Sequence, residues 1–81
     1  MPDRHQLQQA RTALHLSLAE AAEAVGAGRS SVSRIEAGVD TDDVLISKLS
    51  ALYESKGVSF GAEGQVKLSP AAQKIAGRKV N

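Results

Sequence analysis

Between positions 28 and 34 the chain reads Gly28-Arg29-Ser30-Ser31-Val32-Ser33-Arg34. Two guanidinium groups and three hydroxyls in so short a stretch can hydrogen-bond to phosphates and to the edges of bases. Arg34 can fork onto the O6 and N7 of guanine, while Arg29 can reach a phosphate or a guanine edge. Ser30 and Ser33 can touch bases or phosphates and discriminate weakly between bases. Ser31 and the backbone amides near Gly28 suit a phosphate, because a helix start attracts an anion. Other chemistry finds little footing. The serines have no nearby His or Lys to act as a base, so nucleophilic catalysis is not expected. His5 and His15 stand ten residues apart with no cysteine and no carboxylate at ligand spacing, so no metal is expected either. No residue pattern calls for a cofactor.

Such side chains work only if a scaffold displays them. Leu7, Ala10, Arg11 and Leu14 recur at helical spacing and predict a helix over 3–14 with Asp3 near its start. Ser17 with Glu20 three residues on forms a capping box, and Leu18, Ala21, Ala22 and Val25 make the apolar stripe of a second helix. Gly26 falls where a left-handed residue must end it. A third helix is predicted over 29–37, with Val32 and Ile35 inward and Gly38 at its end. Thr41 or Asp42 can cap a fourth over 42–55, with Leu45, Leu49 and Leu52 inward, Ile46 and Tyr53 beside them, and Lys56-Gly57 closing it. Beyond it, Val58-Ser59-Phe60 and Gln65-Val66-Lys67-Leu68 alternate around the turn residues Gly61-Ala62-Glu63-Gly64. This predicts a β-hairpin with Val58, Phe60, Val66 and Leu68 on one face. Pro70 can open a last helical turn or two through Ala71, Ala72, Ile75 and Ala76. The expected fold is therefore mainly α: four to five helices with a short C-terminal β-hairpin.

At 81 residues the chain has room for one domain. Residues 1–57 carry the paired helices. Residues 58–81 add the hairpin, a short helix and a tail to the same unit. A chain of this size buries only ~60–65% of its unfolded surface and gains much from oligomerisation. The lack of cysteine fits a reducing cytoplasm, and no apolar run suggests a membrane span. The net charge is only +1, but the charges are segregated. Acids gather at Glu20 and Glu23 and at Asp40, Asp42 and Asp43, and bases at Arg4 and Arg11, Arg29 and Arg34, and Lys74, Arg78 and Lys79. That last group is either an unstructured tail or an arm along phosphates.

Residues 7–38 resemble the lambda-repressor-like, Cro-type helix-turn-helix family, also called the xenobiotic-response-element family. The matching residues are Arg11, Leu16-Ser17, Ala22, Val25-Gly26, Arg29-Ser30-Ser31-Val32-Ser33-Arg34-Ile35-Glu36 and Gly38. The resemblance implies double-stranded DNA as partner, with Arg29, Ser30, Ser33 and Arg34 at the base-reading positions. It also implies a partly buried ion pair between Arg11 and Glu36, which the residues alone would allow as a DNA contact and a solvent-facing acid. The C-terminal hairpin is similar, more loosely, to a small-regulator variant of the family. Three positions depart from the pattern. Leu18 stands where a phosphate-contacting Gln is common, and Gly28 stands where a Ser or Thr cap is common. Val39-Asp40-Thr41-Asp42-Asp43 replaces a loop that is often basic. Its carboxylates must either turn away to cap the fourth helix or impose a different tilt on DNA.

The expectation is a cytoplasmic regulator, a repressor more than an activator, that binds a palindromic operator as a homodimer. Val58, Phe60, Val66 and Leu68 are the candidate dimer contacts, although the same four could simply close the monomer's core. The rival is an antitoxin or other interaction module whose C-terminal segment covers a partner protein.

Overall fold

The computed structural model describes residues 2–77. Its helices are α1 (Arg4–Ala13), α2 (Leu18–Ala24), α3 (Arg29–Glu36), α4 (Asp43–Ser55) and α5 (Pro70–Ala76), with strands β1 (Val58–Phe60) and β2 (Val66–Leu68) between α4 and α5. The fold is mainly helical with a two-stranded antiparallel hairpin, as the sequence leads one to expect.

Four of the five helices start where a side chain can take their first free amides. Asp3 accepts from the Gln6 amide at 2.8 Å, and Gln6 Oε1 accepts from the Asp3 amide at 2.8 Å. Ser17 and Glu20 exchange the same pair of bonds at the head of α2. That hydrogen bonding holds the Glu20 pKa below the usual carboxylate range. Asp42, not Thr41, caps α4, and Ser69 caps α5 with Pro70 in its first turn. Only α3 starts on a residue without a side chain, Gly28.

The core runs through every element. Leu7, Val32, Ile35, Leu49 and Tyr53 are its largest fully buried side chains, each contributing about 1.5–3 kcal/mol. Ala10, Ala21, Ala22 and Ala72 are buried too, and their small size lets short helices approach closely. Leu52 and Ile46 are half-buried, because α4 packs along one flank only.

The hairpin pairs Val58 with Leu68 and Phe60 with Val66, so these four share a face. That face turns onto the chain's own helices. Val58 is 2% exposed, and Phe60, Val66 and Leu68 are half-buried against the core. The connection is one residue longer than expected, running over 61–65, and within it Ala62–Gly64 form a 3-10 turn with Glu63 at φ 60 and Gly64 at φ 78. Gln65 closes this turn through Gly61 N–H to its carbonyl at 2.9 Å and is not part of β2.

Two polar side chains tie the C-terminal elements to the front of the molecule. Buried Gln6 donates from Nε2 to Gly61 O at 2.8 Å and to Gln65 O at 2.9 Å. His15 Nε2 lies 3.0 Å from Ala76 O, joining the α1–α2 turn to the end of α5. Lys74 is exposed in the last turn of α5. Arg78 and Lys79 lie outside the described residues.

Candidate nucleic-acid interface

Helices α2 and α3 are joined by a tight turn. Val25 ends α2, Gly26 takes φ 69, and Ala27 N–H reaches back to Ala22 O at 2.8 Å. Gly28 then adopts an extended conformation (φ −83, ψ 150) and α3 begins at Arg29. Its side chains divide cleanly. Val32 (0% exposed) and Ile35 (2%) enter the core, and Glu36 is buried beside Arg11. Arg29, Ser30, Ser33 and Arg34 are exposed, as is Gly28, while Ser31 is half-buried. Residues 29, 30, 33 and 34 follow i, i+1, i+4, i+5 spacing and so form one ridge along the helix. Four of the sequence-derived candidates thus share a single outward face, while Gly28 and Ser31 sit at the foot of the helix.

The axis of α3 is clamped from behind. Arg11 Nε lies 2.7 Å from Glu36 Oε2, its Nη2 lies 3.0 Å from Oε1, and its Nη1 donates to Leu16 O at 2.8 Å. The bond to Glu36 pushes the Arg11 pKa above its ordinary value. Arg4 Nη1 donates to Glu36 O at 3.4 Å, and its stem covers Gly38, whose φ of 78 turns the chain away from the helix. This capping by Arg4 was not legible in sequence, where Arg4 is only a basic residue near the start.

Among the described residues the two arginines of the ridge differ. Arg29 has no ion-pair partner, whereas Arg34 Nε lies 3.9 Å from Asp40 Oδ2. Two of the loop's three carboxylates, those of Asp40 and Asp42, also accept from backbone. Asp40 Oδ1 accepts from Thr41 N at 2.8 Å, and Asp42 Oδ1 accepts from Val44 N and Leu45 N at 3.1 and 3.2 Å. Leu18 is half-buried against the core, which is what an apolar residue at that position does best.

At the foot of α3, Gly28 and Ser31 line a shallow recess together with Asp42, Val44 and Lys48. The unsubstituted Gly28 leaves the first amides of α3 without a side-chain acceptor. Lys48 was missed by sequence reasoning, since nothing in the spacing of α4 says that it lines the recess at the start of α3. Among the described residues no group of three His, Cys, Asp or Glu side chains is assembled for a metal.

The order of elements, the glycine turn and the exposed ridge are those of a helix-turn-helix. A helix-turn-helix family model matches residues 7–58, more than half of the chain. The chain belongs to this family. It is the lambda-repressor-like, Cro-type family whose resemblance residues 7–38 carry, and its members are DNA-binding transcriptional regulators. This helix-turn-helix protein is thus a DNA-binding regulator, with α2 and α3 as its motif. The match ends at Val58, so most of the hairpin and all of α5 lie beyond it. Neither the curated proteins nor the solved structures include a significant match to the chain.

Proposed function

We propose that this protein represses transcription by occupying a palindromic operator as a homodimer, with α3 in the major groove. The observation that carries this reading is the division of α3: Val32 and Ile35 are anchored in the core, so Arg29, Ser30, Ser33 and Arg34 face outward as one ridge. In this reading Arg34 reads a guanine, and Ser30 and Ser33 adjust the fit to neighbouring bases. Gly28, Ser31 and Arg29 hold phosphates at the helix start. Lys48 adds a cation near the same recess, which offsets the phosphate contact that Leu18 cannot make.

A single helix reads only a few base pairs, so useful specificity needs two copies about one DNA turn apart, ~34–36 Å. The Cα extents of 31 × 31 × 18 Å are compatible with two copies side by side at that separation. The dimer contact we favour is the rim of the hairpin, where Phe60, Val66 and Leu68 remain half-exposed and both strands keep an unpaired edge. Val58 supports that rim from the core side. An antitoxin role for the C-terminal segment draws no support from this packing, because Val58 and Ala72 are buried in the chain's own core. Repression is favoured over activation because occupying a promoter needs no second surface. The protein would then act on DNA in the cytoplasm, and among the described residues no helix is long and apolar enough to cross a membrane.

The test is selection of bound fragments from random duplex DNA, with affinity measured across salt. The reading expects an inverted repeat and a steep loss of affinity as salt rises. Binding that is equally tight to every duplex, or absent, would reject it.

A further inference from the structure

We infer that Asp40 is a positioning residue that sets the base preference of Arg34. The inference rests on the reading of α3 as the helix that meets base edges. An acid beside phosphates costs affinity, so its place here calls for a compensating role.

Asp40 is put beside Arg34 by the backbone. At the end of α3 the Arg34 carbonyl accepts from Val39 N at 2.9 Å and from Asp40 N at 3.3 Å, as the chain turns through Gly38. Thr41 N then takes Asp40 Oδ1 at 2.8 Å. The other oxygen, Oδ2, is left facing Arg34 Nε at 3.9 Å. Both side chains are about half exposed, at 55% and 44%, so the pair adds little to stability. Its consequence is orientation. At 3.9 Å the carboxylate is too far for a hydrogen bond, but its charge lies on the Nε side of the guanidinium and biases the outer fork of N–H groups toward a ligand. Among the described residues that fork makes no hydrogen bond to protein.

A fork biased in this way matches guanine O6 and N7 and fits adenine poorly, because adenine N6 is itself a donor. An unrestrained arginine can swing to a phosphate, which every sequence supplies. Arg29 has no such partner among the described residues. Asp40 therefore trades general affinity for discrimination at one base pair.

The experiment compares wild type, Asp40→Asn, Arg34→Ala and the double variant in selection from random duplexes. Each is also measured for affinity to an unselected duplex, with thermal melts to confirm folding. Asparagine keeps the acceptor for Thr41 N and turns the oxygen facing Arg34 into an uncharged amide NH2, so the attraction is removed. We expect Asp40→Asn to bind unselected DNA several-fold more tightly while its guanine preference, at the position that Arg34→Ala erases, falls at least ~5-fold. In the Arg34→Ala background the same change should alter no base preference. A guanine preference retained in full by Asp40→Asn overturns the positioning role and leaves the reading of α3 intact. A wild type without any base preference overturns both.

Discussion

The guanidinium of Arg11 clasps the Glu36 carboxylate at two points, Nε to Oε2 at 2.7 Å and Nη2 to Oε1 at 3.0 Å, with side chains only 13% and 7% exposed. The contact ties α1 to the last residue of the helix that displays the ridge. Removing one partner strands the other charge in a poorly solvated place, which costs about 3–5 kcal/mol. Arg11→Ala should therefore lower the Tm by roughly 12–40 °C in a domain of this size. Arg34→Ala, which touches only a half-exposed partner, should shift it by little more than the error. Thermal melts of the two variants check this, and equal Tm values would remove the pair from its structural role.

Tyr53 carries a fully buried hydroxyl with no hydrogen-bond partner. Burial, with a further contribution from the charge of Glu36, pushes its pKa from 10.0 up to about 12. The fold thus prefers the protonated phenol. Its contribution is intact below about pH 10 and is lost progressively as pH rises towards 12. Tyr53→Phe removes a desolvated polar group without opening a cavity, so it should leave neutral-pH stability unchanged or raise it by up to about 1 kcal/mol. It should also flatten the alkaline fall. Denaturant titrations at pH 7 and pH 11 measure both effects, and a clear loss at pH 7 would mean that the hydroxyl is satisfied.

Gly57 and Gly26 both take positive φ, at 98 and 69, but their surroundings differ. A Cβ at Gly57 would collide with Ser69 Oγ and press on Ala72 Cβ at 3.2 Å, whereas one at Gly26 meets nothing within 4 Å. Gly26→Ala should cost about 1–2 kcal/mol of backbone strain alone. Gly57→Ala should cost clearly more, because α5 must shift away from the chain entering β1. Urea midpoints of the two variants decide this. A Gly57→Ala protein no weaker than Gly26→Ala would show that α5 yields freely.

On the ridge, Arg34→Ala should weaken operator binding by about 1–3 kcal/mol and relax preference at one position. Arg29→Ala, at the helix start, should weaken all duplexes alike and reduce the salt slope by about 1. Gel-shift titrations on operator and scrambled duplexes over a salt series separate the two. Identical behaviour of the variants would argue against this division of labour.

Phe60→Asp tests the hairpin rim. Phe60 is only half-buried, so the variant should fold while moving from dimer to monomer and losing operator affinity together. Sedimentation alongside circular dichroism reads this out. A folded variant that remains dimeric would place the contact elsewhere.

Much of this was legible in the sequence because it depends on neighbours along the chain. Capping boxes, the left-handed Gly26 and the inward pair Val32 and Ile35 are set by residues three or four positions apart, where sequence spacing and spatial proximity coincide. The ridge 29–34 follows from that periodicity alone. Gln6 was not legible as a cross-link, since its partners Gly61 and Gln65 lie more than fifty residues away. Arg4 over Gly38, and the recess that Lys48 shares with Gly28, are unreadable for the same reason.

Charge and hydropathy patterns also stop short of direction. An alternating hairpin says that one face is apolar, but only packing turned Val58 inward onto α4 and left a half-exposed rim at Phe60, Val66 and Leu68. A run of acids says that a loop is negative and offers Asp42 as a cap for α4, but only the turn at Gly38 set Asp40 beside Arg34. Local propensities specify the helices and their faces. Which distant side chains meet is decided by how those faces stack, because burying apolar surface fixes the arrangement and polar groups must then find partners within it.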